Sequence, residues 1–544
     1  MIKKLLCILL SAVLFLCTFT ACGDDDDISL VMPITSDPLC LDPQSAETLT
    51  AKTIINNCYE GLVRLDSEHK IVPGVAESWT VSANGLEYTF KLREDTNWQL
   101  LKTYKDVLDD ENYMENFETQ VTAHDFEFGL KRAVDKITDS PDANKLYCIK
   151  NAQKIHNGEA DKSTLGVKAT DDRTLVITLE RANPDFLRIL TLPLCMPCNE
   201  EFFNATHAKY GLELKYTFCN GPFYLGRWTV DHSLVIYRNE GYKGNEKVKS
   251  TAVYFNINKE EESVVSKLKL NDYNCAYISD SAKFTLEDTK MNFAVSQNSV
   301  YGIAFNCKDT FLSNENLRKA LILLTKTEEI EMPTQATDTA KGIIPEACRY
   351  SDSSYRQAAG NLTVPKYDEA AALELWNKGL TELEKESATI KIICPQEYLG
   401  DMQSIIQNWQ RILSTTIVAK VEAVSAETLK DSIRNNSYQL AVTEITANSS
   451  SPIDTLKFFT TENSKNIFGY STPEYDELID NIIHTSSGGM ILADTKKAEQ
   501  MILDSAVFLP LFNHGDYIAF GSEATDIYTS PVLESICFIS GGLS

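Results

Sequence analysis

The chain is predicted to fold as an α/β protein of several lobes, and three observations carry that prediction. At 544 residues it is too long for one ordinary hydrophobic core. Residues 86–92 alternate Tyr88, Phe90 and Leu92 with Glu87, Thr89 and Lys91, the period of two expected of a strand with one buried face. Residues 390–445 read as strand, helix, strand, helix, strand. A short apolar run at 390–394 precedes Met402, Ile405, Ile406, Trp409, Ile412 and Leu413, which share one face of a helix. Alternation then returns at 417–424 and 438–445 around a short helical stretch at 429–433. Such a succession buries a sheet under helices.

Composition narrows the function classes. With 43% hydrophobic and 24% charged residues the chain is foldable, and its formal charge of −26 argues against nucleic acid, which requires clustered cations. The first 21 residues combine Lys3 and Lys4 with an apolar run over 5–19 and end in Phe19-Thr20-Ala21 before Cys22. That is a secretory signal resembling a bacterial lipobox, with Phe19 where Leu is commoner, so cleavage and lipidation at Cys22 are expected. Residues 22–27, with four consecutive aspartates, form a solvated tether. The rest of the chain is expected in water outside the cell.

Eleven cysteines follow Cys22, an odd number without framework spacing, mostly among apolar neighbours. Buried thiols are expected, and the single CxxC at 195–198 is read as structural. Thr122 and Asp125 form a capping box ahead of Phe126, Leu130, Ala133, Val134 and Ile137 at helical spacing. The polar stretch 99–120 is expected to be a surface loop. Residues 165–179 hold two strand runs about an Asp171-Asp172 turn, and 499–512 a helix leading into a strand.

Ten short words in fixed order resemble one family: LDP at 41–43, NCYEGLV at 57–63, IVPGVAESW at 71–79, LEYTFKLREDTNW at 86–98, LGVKATDDRTLVITL at 165–179, NGPFYLGRW at 220–228, LVIYRNEGY at 234–242, IAFN at 303–306, LRKAL at 317–321 and EQMILDSAVFLPLF at 499–512. These resemble the family-five extracellular solute-binding proteins, the large peptide receptors of ABC importers, although Glu240 stands where that family usually has proline. The resemblance implies a type II (cluster C) periplasmic-binding-protein fold with two main lobes, a hinge and an extra lobe. The implied division is a signal at 1–21, tether 22–27, lobe I at 28–59, 196–298 and 515–544, the extra lobe at 60–195 and lobe II at 299–514. The connections between lobes fall near 299–300 and 512–515.

The same resemblance implies where a ligand would lie. One peptide-holding edge falls on Glu47, Thr48 and Leu49, and the opposite edge on Glu444, Ile445, Thr446, Ala447 and Asn448. The family aspartate that meets a peptide's amino group falls on Asn448, which carries no charge. The family arginine falls on Val442, the tryptophan on Ile445, and a ligand-side tyrosine on Asp142. Glu444, Glu47 or Asp142 then stands as the replacement carboxylate.

Catalysis is not expected: HExxH, GxSxG and GxxxxGK motifs are absent, and the seven histidines are scattered. No cofactor and no metal are expected. His514, at the implied hinge, is singled out. The sequence thus points to a lipid-anchored monomer on the outer face of the cell membrane that captures peptides for the permease subunits of an ABC transporter. Alternatives are the same fold holding a nickel chelate, haem or oligosaccharide, or a sensor without a transporter.

Overall fold

The computed structural model describes residues 28–544, apart from 184, 245–246, 331–335, 351–352, 448, 464–465, 485–487 and 532–534. The expectations for Cys22 and Asn448 therefore lie outside the described residues.

Strand β1 (Ser29–Ile34) leads through a turn to helix α1 (Leu49–Cys58). The LDP word is a lock in that turn. Buried Asp42 holds Arg132 at 2.6 Å, and the guanidinium also donates to Gln44 Oε1 at 2.6 Å and lies 3.9 Å over the Phe203 ring. Thr48 then caps α1, its Oγ1 accepting from the Ala51 N–H at 3.1 Å. The three residues named for one peptide-holding edge stand at a helix start: Leu49 opens the helix, Thr48 is its cap, and Glu47 is exposed.

A four-stranded antiparallel sheet follows, made of β2 (Ala76–Val81), β3 (Glu87–Leu92), β4 (Val167–Asp171) and β5 (Thr174–Thr178) in the order β2-β3-β5-β4. Helix α2 (Ala123–Val134) packs on it, with the Thr122 N–H donating to Asp125 Oδ2 at 2.8 Å in the expected capping box. Ile137 falls beyond that helix and is exposed. The stretch 99–120 is not a free loop. It holds three short helical turns, and its Tyr104 is buried against Phe202 and Phe218 with its hydroxyl donating to the Thr217 carbonyl at 2.6 Å. The polar composition hid this because few anchors, Tyr104, Val107 and Tyr113, carry the packing. A short helix α3 (Phe186–Ile189) precedes the CxxC. There Cys195 donates to the Ile189 carbonyl at 3.4 Å and Cys198 accepts from Arg132 at 3.3 Å, so both thiols are packing groups. All eleven described cysteines are free.

Strands β6 (Phe223–Thr229), β7 (Ser233–Arg238) and β8 (Ala252–Ile257) return beside β1, giving the order β1-β8-β7-β6 with β1 and β8 parallel. One continuous core joins both sheets, from Leu30 and Phe255 through Phe90 and Phe126 to Phe538.

The second half is built differently. Strands β9 (Cys275–Ile278), β10 (Asn292–Phe305), β11 (Ala336–Thr339), β12 (Ala388–Cys394), β13 (Ile417–Ala423), β14 (Leu440–Thr446) and β15 (Phe508–Phe520) form one mixed sheet in the order β9-β15-β10-β14-β12-β13, with β11 against β15. Helices α4 (Leu399–Leu413) and α5 (Ala426–Arg434) make the crossovers between the parallel strands β12, β13 and β14. Alternation along the strands supplies a core on each face: Ile303, Ile392 and Val442 with Trp376 and Trp409 on one, Val300, Ile393 and Ile445 with Phe459 and Tyr475 on the other. The long strands β10 and β15 pair antiparallel from Asn292↔Phe520 to Ala304↔Phe508, with the register broken between Ser296 and Ser299. At that break Gly515 lies against the Ser296 carbonyl, where a Cβ would approach the oxygen to 2.7 Å.

Candidate functional site

A cleft of about 460 Å³ lies where the two halves of the molecule face each other. One wall comes from α1, the 59–65 stretch, residues 144–153, 181–183, 185–193, 528–531 and 535–539; the other comes from 449–457 with Ile482 and Ile483. Val63, Leu192, Met196, Ile453 and Ile482 give it apolar surface among polar side chains, the mixture expected of a site for a small organic ligand.

Three carboxylates line it. Glu60 is buried, takes Arg93 Nη2 at 2.7 Å and accepts from the Tyr242 hydroxyl at 2.6 Å. Burial pushes its pKa above the ordinary carboxylate range, and Arg93 opposes that. Asp454, on helix α6 (Pro452–Leu456), accepts from Ser449 Oγ at 2.6 Å and pairs with Lys457 at 3.1 Å. Asp185, just before α3, lies beside the Ser451 side chain of the opposite wall. Burial raises Asp185 to about 6, with Ser451 and Arg188 opposing and the negative charge of Asp454 adding to the rise.

The replacement carboxylates expected from sequence stand elsewhere. Asp142 is behind the cleft wall, tied to Lys52 at 3.1 Å and Lys145 at 3.2 Å. Burial alone would raise its pKa, but those two ammonium groups outweigh burial and hold it below the usual value. Glu47 is exposed beside the cap of α1. Glu444 faces Tyr301 across β10 and β14 and lies 3.6 Å from His514 Nδ1, while Tyr301 stacks with Tyr398. None of the three is among the residues lining the cleft. Sequence reasoning missed Asp185, Asp454, Arg64, Arg181 and Arg188 because they come from separate segments with no shared motif.

What β14 offers is main chain rather than side chain. The Ala447 N–H bonds the Asn298 carbonyl at 2.8 Å, so the odd-numbered residues of β14 face β10 and the even-numbered ones face away. On that outer side β12 pairs only as far as Ile393↔Ala441. Among the described residues the outward N–H and C=O groups of Glu444 and Thr446 therefore have no strand partner. Ile445 and Ala447 are buried in the core on one face, and Thr446 Oγ1 lies 3.0 Å from Ser299 Oγ. The strand end leads directly into Ser449, Ser450 and Ser451 on the cleft wall. An unpaired edge past the end of a neighbouring strand is where an open α/β sheet collects ligands and where an extended peptide can add as a strand.

Among the described residues no group of three or more His, Cys, Asp or Glu is placed to hold a metal ion, and no helix is long and apolar enough to cross a membrane.

Comparison with known proteins gives a consistent picture. The dipeptide-binding protein DppE of Bacillus subtilis (strain 168) is 26% identical over 507 residues, covering 91% of this chain and 89% of that one. The probable deoxycholate-binding periplasmic protein YgiS of Escherichia coli (strain K12) is 37% identical over 210 residues, 38% of this chain and 36% of that one. Among solved structures, the periplasmic murein tripeptide binding protein MppA in its unliganded open form superposes with a TM-score of 0.73 at 22% identity, covering 95% of this chain and 98% of that one. Listeria monocytogenes OppA bound to peptide superposes with 0.67 at 22% identity, covering 95% and 99%. These likenesses show the shared two-lobed α/β fold. The model for the middle region of the bacterial extracellular solute-binding proteins, family 5, matches residues 70–466, most of the chain, and the chain belongs to that family.

Proposed function

We propose that the protein captures peptides between its two halves and delivers them to the permease of an ABC importer, without chemistry of its own. The reading rests on one observation above the others: among the described residues the outward main-chain groups of Glu444 and Thr446 have no strand partner at the end of β14, a few residues before those that line the cleft. A receptor for many sequences must hold what all peptides share, and each main-chain bond contributes only about 0.5–1.5 kcal/mol net. Several in series, covered by closure of the halves, give useful affinity. The lobes divide near 299–300 and 512–515, and the break in register between β10 and β15 at Ser296 and Ser299 is the point about which they turn. A lipid on Cys22 holds the monomer at the outer face of the membrane. DppE, named as dipeptide-binding, supports the peptide class.

A second reading, a non-peptide ligand, is favoured by YgiS, which is named as a probable deoxycholate-binding protein and is 37% identical over 210 residues. Native mass spectrometry of the protein purified without denaturation separates the two. Retained masses that fragment as peptides support capture of peptides; a retained compound without amide bonds overturns it.

A further inference from the structure

Both walls of the cleft turn aliphatic side chains into the same cavity. On one wall these are Leu65, at the end of the 59–65 stretch, Ile189, the last residue of α3, and Leu192 three residues on. On the other they are Ile453, in the first turn of α6, and Ile483, near the end of helix α7 (Pro473–His484). Each is half-buried. Their neighbours are fully inside: Phe186 and Leu190 beside Ile189, Leu456 beside Ile453, and Ile479 and Ile482 beside Ile483. Ile189 and Leu192 rest on the core of the first half, Ile453 and Ile483 on one core of the second. In α7 the spacing of Ile479, Ile482 and Ile483 is that of one helix face, whose last member passes the edge of the core and reaches the cavity.

A lone exposed leucine needs no explanation. Aliphatic residues on both walls of one cavity of about 460 Å³ are different, because a group that touches both walls removes apolar surface from water on each side of itself. Resting on the peptide reading above, we propose that the cleft selects peptides carrying a bulky aliphatic side chain, which lodges between Leu65, Ile189 and Leu192 on one wall and Ile453 and Ile483 on the other. Main-chain bonds at the end of β14 are open to any peptide, so the aliphatic contact supplies the discrimination among them. It also couples selection to closure, since such a side chain is covered completely only when both walls meet it.

The test compares four probes by titration calorimetry on the purified protein: trialanine; trileucine; triasparagine, whose side chains match leucine in size but are polar; and decanoate, an alkyl chain without an amide. Trileucine should bind at least about tenfold more tightly than trialanine or triasparagine, with a more negative heat-capacity change. The double variant Ile189→Ser, Leu192→Ser should bring the ratio between trileucine and trialanine to within about threefold. That ratio on the unmodified protein decides the matter even where the variant fails to fold. Trileucine binding no more tightly than the other two peptides overturns aliphatic selection and leaves peptide capture standing. An equal loss for trialanine and trileucine in the folded variant overturns it too, because the side chains then join the walls to each other rather than to the ligand. Binding of decanoate alone removes the peptide reading and keeps the aliphatic contact. Binding of none of the four removes both.

Discussion

The two walls of the cleft are made by different means. Residues 28–257 pack around one continuous core and present charged side chains from helices and turns, whereas residues 299–514 hang on a single sheet with a core on each face and line the cleft with the 449–457 segment that follows β14. The first arrangement lets side-chain chemistry vary without touching the sheet. The second fixes main-chain geometry rigidly, because β14 is held by β10 along its whole length. One half is thus suited to choose among ligands and the other to hold them all.

The largest effects should come from breaking either half separately. Asp42→Ala would leave Arg132 buried without its carboxylate, and Glu499→Ala would do the same to Arg356, which Glu499 holds at 2.6 Å. Each should cost about 3–5 kcal/mol. In native-state hydrogen exchange the first should lower protection around β1, β3 and β8 and the second around β10, β12 and β14. Equal losses in both halves after either change would mean they do not have separate stabilities.

Smaller effects sharpen the division of labour. Methylating a ligand amide that faces Glu444 or Thr446 should cost about 0.5–1.5 kcal/mol per bond in calorimetry, whatever the ligand's side chains. A loss that depends on side-chain charge instead would remove the main-chain role. Asp185 tests the cost of burying a carboxylate in the cleft wall. Its pKa is raised to about 6, so its neutral form is favoured in the folded state. Stability from that preference is full below the unfolded carboxylate value and is lost as pH rises through about 6. Asp185→Asn should therefore raise the melting temperature at about pH 8, and the gain should vanish by about pH 4. A gain independent of pH would mean the carboxylate is not strained by its surroundings. The smallest effects belong to Glu47→Ala and Glu444→Gln, each within about 0.5 kcal/mol in stability and about twofold in ligand affinity.

Much of this was legible in the residues, and the exceptions have physical causes. Strands and helices of the second half follow their apolar periods closely, as Met402, Ile405, Ile406, Trp409 and Leu413 all lie buried on α4. The capping box at Thr122 and Asp125 and the buried thiols were readable because each is a local pattern. The helix start at 48–49 was not legible because Thr48 bonds three residues ahead, which an extended reading of the segment after LDP does not anticipate. The 99–120 stretch was misjudged because Tyr104 carries it into the core through contacts with residues about a hundred positions away. The cleft's cations were invisible for the same reason: six residues from five segments converge only in the folded chain.

Amide hydrogen exchange on β14 with and without a saturating peptide tests the central claim most directly. The outward N–H groups of Glu444 and Thr446 should exchange markedly more slowly when ligand is bound, while Ile445, already bonded toward β10, should change little. Unchanged exchange at Glu444 and Thr446, with protection confined to the wall of α1 and α3, would contradict it.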